Sequence, residues 1–251
     1  SFDEIFLLQL GVLRQKYEWS QQQGQIYQVD NEWLIERIQQ LDFELTKSQL
    51  HVLTEIRQDL ASGHPMNRLL QGDVGSGKTV IAALAVSIVV KADAQGAFMA
   101  PTSILAEQHY HSLRKLLANP NDENATLQED QIRLLIGDTP TKERENIMAG
   151  LADGSIKLVI GTHALIEDPV TFKNLQIAIV DEQHRFGVSQ RAALREKGNN
   201  PHLLVMTATP IPRSLALTIY GDLDISVMDE MPLGRKPVET HIAYPIERER
   251  V

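Results

Sequence analysis

An octapeptide with three glycines, set between two apolar runs, limits what this chain can fold into more than any other stretch. Residues 72 to 79 read GDVGSGKT: Gly72, four residues, then Gly77, Lys78 and Thr79. This is the full P-loop spacing, and each fixed residue has a mechanical reason. Gly72, Gly75 and Gly77 free the backbone for positive φ and for close approach to phosphate oxygens. Main-chain N–H groups of Asp73, Val74 and Ser76, and those opening the helix that follows, then point at an anion, favoured further by the helix dipole. Lys78 supplies a compact positive charge to β- and γ-phosphates, and the Thr79 hydroxyl suits Mg²⁺. The competing reading is a flexible glycine turn, and context decides between them. Asn67 to Gln71 (NRLLQ) reads as a strand entering the loop, and Val80 to Val90 (VIAALAVSIVV) is apolar on every side except Ser87. A helix of that kind is buried. At 11 residues it is too short to span a bilayer.

The chain has 251 residues, 43% of them hydrophobic, enough for a large single core. Cysteine is absent, which removes disulfides and thiolate metal sites and fits a reducing cytosol. Acidic Asp3 and Glu4 near the start are incompatible with the positive end of a signal peptide. The formal charge of −9 argues against binding nucleic acid through a broad basic surface. A local groove built from helix N-termini and hydroxyls stays compatible with it.

Taken in order, residues 2 to 18 read as an amphipathic helix with Phe2, Phe6, Leu10 and Leu13 along one stripe. Residues 20 to 30 are Gln-rich and aperiodic, a linker, after which Asn31 caps a second helix with Trp33, Leu34, Ile38 and Leu41 inward. Thr46 and Gln49 form a capping box opening a third helix, which stops at Ser62-Gly63. Beyond the P-loop helix, strands at 96–100, 131–136, 156–160, 175–180 and 203–206 alternate with helices at 101–117 and 141–152, and 119–130 is an acidic loop. The expected fold is therefore α/β, with a mainly parallel central sheet covered by helices on both faces and a helical N-terminal extension.

A second chemical site follows the run LQIAIV, which leads into Asp181, Glu182, Gln183 and His184. Two carboxylates at the carboxyl edge of a buried strand lie where open α/β sheets bind ligands. Asp181 suits water-mediated coordination of the Mg²⁺ that Thr79 also holds, and Glu182 suits activation of the attacking water. Alone, such a pair is commonly just an acidic turn; beside a P-loop the catalytic reading prevails.

Five segments occur in a fixed order: GDVGSGKT, APTSILAEQH (100–109), IGTHALI (160–166), DEQH (181–184) and TATPIPR (207–213). Together they resemble the first, RecA-like motor lobe of superfamily-two DNA helicases and translocases. The long runs at 181–191 and 207–242 are most similar to the RecG family of bacterial branch-migration helicases. The transcription-repair coupling factors share part of these runs but usually carry DEEH where this chain has Gln183; GRKPVETHI (234–242) agrees with the RecG side.

The resemblance implies ATP and Mg²⁺ as ligands, with Lys78, Asp181, Glu182 and His184 as catalytic residues. It implies that Phe43 and Gln49 read adenine, although the capping box competes for Gln49. Pro101, Thr102, Gly161, Thr162 and His163 would hold one DNA strand by its phosphates, helix capping being the plainer reading of the same residues. Gln183, Thr207 and Thr209 would couple nucleotide state to the DNA site, with His184 as a partner of the threonines. The implied organisation is a tail of a preceding wedge domain over 1–42, the ATP-binding lobe over 43–235, and the start of a connection to a second lobe over 236–251. The chain is thus expected to be a monomeric fragment of a cytoplasmic, nucleoid-associated bacterial enzyme that remodels stalled forks and Holliday junctions. Arginines of the second lobe, worth roughly 10³–10⁵ in rate in related NTPases, would lie outside it. A non-catalytic nucleotide-sensing module is the rival from another class, opposed by the intact set Lys78, Thr79, Asp181 and Glu182.

Overall fold

Seven strands, all paired in parallel, form the frame of the computed structural model, which describes residues 2–118, 125–181, 193–209 and 221–232. They are β1 (Asn67–Gly72), β2 (Gln95–Met99), β3 (Ile132–Leu135), β4 (Leu158–Gly161), β5 (Leu175–Val180), β6 (His202–Thr207) and β7 (Asp224–Met228). Their spatial order is β3-β4-β2-β5-β6-β1-β7. Parallel neighbours need crossover connections, and the helices α4 (Lys78–Val90), α5 (Ser103–Leu117) and α6 (Thr141–Asp153) supply them. This is the expected RecA-like α/β lobe.

The inner strands read as continuous apolar runs because both of their faces are covered. On one face Leu70, Phe98, Ile160, Ile179, Leu204 and Met206 pack with α4, α5 and α3 (Lys47–Leu60). On the other, Leu69, Met99, Val159, Val180, Leu203 and Val205 pack with Ile147 and Leu151 of α6 and with Leu165 and Leu194. Adjacent residues thus serve opposite layers, and each fully buried Leu, Ile or Val contributes about 1.5–3 kcal/mol. Helix α4 is buried from Ile81 through Val90, and the one polar side chain in that stretch, Ser87, donates to the Leu84 carbonyl at 2.7 Å.

Several local expectations change. Strand β7 has no counterpart in the sequence reading; it pairs with β1 along Arg68↔Asp224 through Gly72↔Met228. Asp30, not Asn31, occupies the cap position of α2 (Asn31–Gln39), without a side-chain bond, while Trp33, Leu34 and Ile38 do pack inward. Helix α5 starts at Ser103 rather than Pro101, capped by Thr102, whose hydroxyl accepts from Leu105 N–H at 3.3 Å.

Residues 20–30, read as a linker, form an ordered strap. Gly24 N–H donates to the Gly63 carbonyl at 2.9 Å and Tyr27 N–H to that of Leu60 at 2.8 Å. His202, at the start of β6, holds the Gln25 carbonyl at 3.0 Å through Nε2. Gly24 is required by proximity, since a Cβ there would sit 2.7 Å from backbone atoms of His64 and Pro65. Local aperiodicity hides these bonds because each joins the strap's backbone to a partner far along the chain. Helix α1 (Phe2–Ser20) is fastened at its end, where Arg195 stacks 3.5 Å over the Trp19 ring and Lys16 meets Asp224 at 2.7 Å. Its apolar stripe at Phe6, Leu10 and Leu13 faces outward and is exposed.

Candidate functional site

The carboxyl ends of the strands gather the motif residues on one rim. Gly72 closes β1 and opens the phosphate loop, Asp181 follows β5, and Ala208 follows β6. On the neighbouring strands, Pro101 and Thr102 follow β2, and Gly161 closes β4 ahead of Thr162 and His163. The strand order therefore sets β4 and β2 on one side of the rim and β5, β6 and β1 on the other. At about 4.8 Å per strand the two groups span about 19 Å from β4 to β1.

The loop itself is built by two left-handed glycines, Gly75 at φ 79° and Gly77 at φ 93°. Gly72 does not share this conformation, contrary to expectation. It stays in the strand and is glycine for room, because a Cβ would come within 2.6 Å of the Ser76 hydroxyl. Lys78 turns its ammonium onto the loop, donating to the Gly72 carbonyl at 2.7 Å and the Asp73 carbonyl at 3.0 Å. Asp73 Oδ1 accepts from Val74 N–H at 2.7 Å, and the Val74 side chain is exposed. Ser76 is buried, with a hydroxyl that meets no hydrogen-bond partner among the described residues.

Gln49 braces the loop from the start of α3. Its carbonyl takes the Thr46 N–H at 2.8 Å while the Thr46 hydroxyl takes the Gln49 N–H at 3.2 Å, completing the capping box. Its amide nitrogen donates to the Ser76 carbonyl at 2.7 Å. With the residue only 1% exposed, contact with a base would require this amide to turn out of the box. Phe43 is exposed and borders a separate groove with Leu41, Val80, Ala83 and Leu84.

Facing the loop, Asp181 closes a cleft of about 450 Å³ lined by Gly75, Gly77, Lys78, Thr79, His109 and Ala208, among others. Asp181 is buried, its N–H bonded to the Met99 carbonyl at 2.9 Å. His109 Nε2 lies 2.7 Å from Asp181 Oδ2. The histidine ends the APTSILAEQH segment, yet the sequence reading gave it no role: nothing in one dimension brings residue 109 to residue 181.

The donor set suits Mg²⁺ bound together with a phosphate chain. Thr79 and Asp181 both line the cleft and offer oxygen ligands, the two left-handed glycines leave the loop backbone open, and Lys78 balances anionic charge. Among the described residues no group of three or more His, Asp or Glu side chains could hold a metal alone. That agrees with an ion whose remaining ligands are phosphate and water.

The DNA-contact candidates are less open. The Thr102 hydroxyl is occupied as the α5 cap. Thr162 is 3% exposed and its hydroxyl is buried without a partner among the described residues, whereas His163 is exposed. Gly161 is glycine for proximity, a Cβ there falling 2.1 Å from the Leu135 carbonyl oxygen. Thr207 is buried, its hydroxyl accepting from Thr209 N–H at 3.2 Å. Glu182, Gln183 and His184 lie outside the described residues, as do Arg185 and Arg213.

Comparison with known proteins agrees with this geometry. The profile of the DEAD/DEAH box helicase family matches residues 46–218. The ATP-dependent DNA helicase RecG of Synechocystis sp. is 49% identical over 251 residues, covering 98% of this chain and 29% of the relative. RecG of Aquifex aeolicus is 47% identical over 252 residues, covering all of this chain and 31% of the relative. The chain thus spans under a third of the length of these curated relatives. Among solved structures, RecG bound to a three-way DNA junction superposes with a TM-score of 0.80 at 47% identity, over 95% of this chain and 31% of that one. The helicase MrfA bound to DNA and AMPPNP superposes at 0.60 with 15% identity, over 84% and 31%, a likeness of fold alone.

Proposed function

Because the chain belongs to the DEAD/DEAH box helicase family, we propose that it is the first motor lobe of a RecG-type ATP-dependent DNA helicase. The observation that carries the reading is one cleft lined by Lys78, Thr79 and Asp181, with the DNA-motif strands β2 and β4 adjacent on the same rim. In this reading residues 43–235 form the lobe, 1–42 a tail of a preceding domain and 236–251 the start of a connection onward.

Lys78, which donates to the Gly72 and Asp73 carbonyls at the loop, supplies the positive charge for the β- and γ-phosphates. Thr79 and Asp181 would hold Mg²⁺, whose charge, when bound, would offset that of the phosphates. Glu182 orients and deprotonates the attacking water, and His184 joins Gln183, Thr207 and Thr209 in relaying the nucleotide state. Gln49 and Phe43 face the adenine, the former after its amide is released from the capping box. Thr102, Thr162 and His163, with Pro101 shaping the turn and the main-chain N–H of Gly161, grip a DNA strand by its phosphates. The solved RecG relative binds a three-way junction. Branched DNA, such as forks and Holliday junctions undergoing branch migration in repair and recombination, is accordingly the proposed substrate of a monomeric, bacterial cytoplasmic enzyme.

Binding of a fluorescent ATP analogue with and without Mg²⁺ tests the site. Lys78→Ala should weaken it at least about tenfold, as loss of a hydrogen bond to a charged group does. Equal affinity in the wild-type chain and the variant would overturn the assignment. Hydrolysis stimulated by a three-way junction, measured in a protein spanning the relatives' full length, tests the substrate. Stimulation by linear duplex alone would overturn branched-DNA recognition.

A further inference from the structure

The strand order divides the rim between β2 and β5, and one side-chain bond crosses that division beside the nucleotide cleft. Helix α5 leaves β2 at the Thr102 cap, and two turns later, about 10 Å along the axis, it presents His109. The imidazole is wedged against the Phe98 ring, centroids 4.4 Å apart, and Phe98 itself is fully buried. Nε2 reaches Asp181 Oδ2 at 2.7 Å, with side-chain exposures of 13% and 9%. The Asp181 backbone is fixed by its N–H bond to the Met99 carbonyl, whereas the Cβ–Cγ torsion of an aspartate is intrinsically broad, so a bond to one oxygen decides how both are turned.

Resting on the nucleotide reading of the cleft, we infer that His109 is a positioning residue for the metal-binding carboxylate. It occupies one oxygen of Asp181 and thereby aims the other at the cleft that Thr79 lines. A ligand carboxylate held by a neighbouring donor enters coordination with its orientation already fixed, and loss of such outer partners costs roughly 10–100-fold in metal affinity or activity. The histidine does this from a helix that begins at the proposed DNA grip. The orientation of the Mg²⁺ carboxylate is therefore tied to the placement of α5, which the cap at Thr102 sets.

The test is nucleotide binding, not turnover, in the full chain. The quantity is the affinity gain on adding Mg²⁺, taken as the ratio of the ADP Kd in EDTA to that in Mg²⁺. His109→Phe keeps a ring against Phe98 and removes the N–H donor, whereas His109→Gln keeps a donor at a similar reach. The phenylalanine variant should lose about tenfold of the Mg²⁺ gain with its EDTA affinity intact, and glutamine should restore most of it. A gain preserved in both variants, or lost equally in both, overturns the inference, the second outcome pointing to ring packing. A wild-type chain whose affinity ignores Mg²⁺ would instead overturn the nucleotide reading of the cleft along with it.

Discussion

Gln49 Nε2 donates to the main-chain carbonyl of Ser76 across 2.7 Å, so the helix that opens at Thr46 is pinned directly to the phosphate loop. One amide thus serves the cap of α3 with its oxygen and the loop with its nitrogen. Gln49→Glu separates the two duties, since a carboxylate still accepts from Thr46 but cannot donate to Ser76. In a residue 1% exposed, the facing lone pairs should cost about 1–3 kcal/mol of stability in urea unfolding. Affinities for ATP and GTP should both fall because the loop is distorted, that for ATP further because Gln49 also faces the adenine. An equal loss for the two nucleotides would remove Gln49 from base recognition.

Gly77 is irreplaceable for two independent reasons. Its φ of 93° lies in the left-handed region, and a Cβ would fall 2.3 Å from Gln49 Nε2. Gly77→Ala should therefore cost about 1–2 kcal/mol in backbone strain alone and break the Gln49 contact as well. The expected result is a lower thermal midpoint with nucleotide binding lost. Gly137, where an added Cβ meets nothing within 4 Å, is the control, and Gly137→Ala should leave binding unchanged.

The strap at residues 20–30 gives the fold a pH dependence. His202 Nδ1 accepts from Met66 N–H at 3.0 Å, which leaves Nε2 to donate to the Gln25 carbonyl. Burial pushes the His202 pKa below its ordinary value near 6.5, partly offset by the bond to Gln25. The unfolded chain then binds a proton first as pH falls, so the stability from neutral His202 is present above about pH 6.5 and is lost below it. Thermal midpoints at pH 7.5 and 5.5 should diverge more for the wild type than for His202→Gln. An equal pH slope in the two would remove His202 as the cause.

Much of this was legible in the sequence because it is locally encoded. The P-loop spacing, the capping box and the apolar runs of β5 and α4 each rest on residues a few positions apart, and the structure places them as read. What escaped was long-range. The strap is held by partners such as Leu60, Gly63 and His202, and His109 meets Asp181 across 72 positions. Gly72 was assigned a conformational role by its place in the motif, whereas the true constraint is a crowding serine four residues on.

Strand β7 lacks a clear apolar alternation because the centre of its inward face is a serine, with Met228 the one buried apolar residue beside it. Ser226 is buried where an apolar residue would have signalled a strand, while Val227 is half exposed. The serine is held by the charges behind it: Arg68 Nη1 donates to its hydroxyl at 2.7 Å, the hydroxyl donates to Glu55, and Arg68 also meets Asp59 at 2.6 Å. This cluster ties α3, β1 and β7 together, so the alternation is present but written in hydrogen bonds. Ser226→Val, which looks like an improved strand, should instead destabilise by about 1–3 kcal/mol, because it leaves a guanidinium N–H and a Glu55 oxygen short of a buried partner. Val227→Ser, on the exposed side of the same strand, should stay within about 0.5 kcal/mol of wild type. Urea midpoints of the two variants decide it, and a stabilising Ser226→Val would show that the edge is held by apolar packing and not by this cluster.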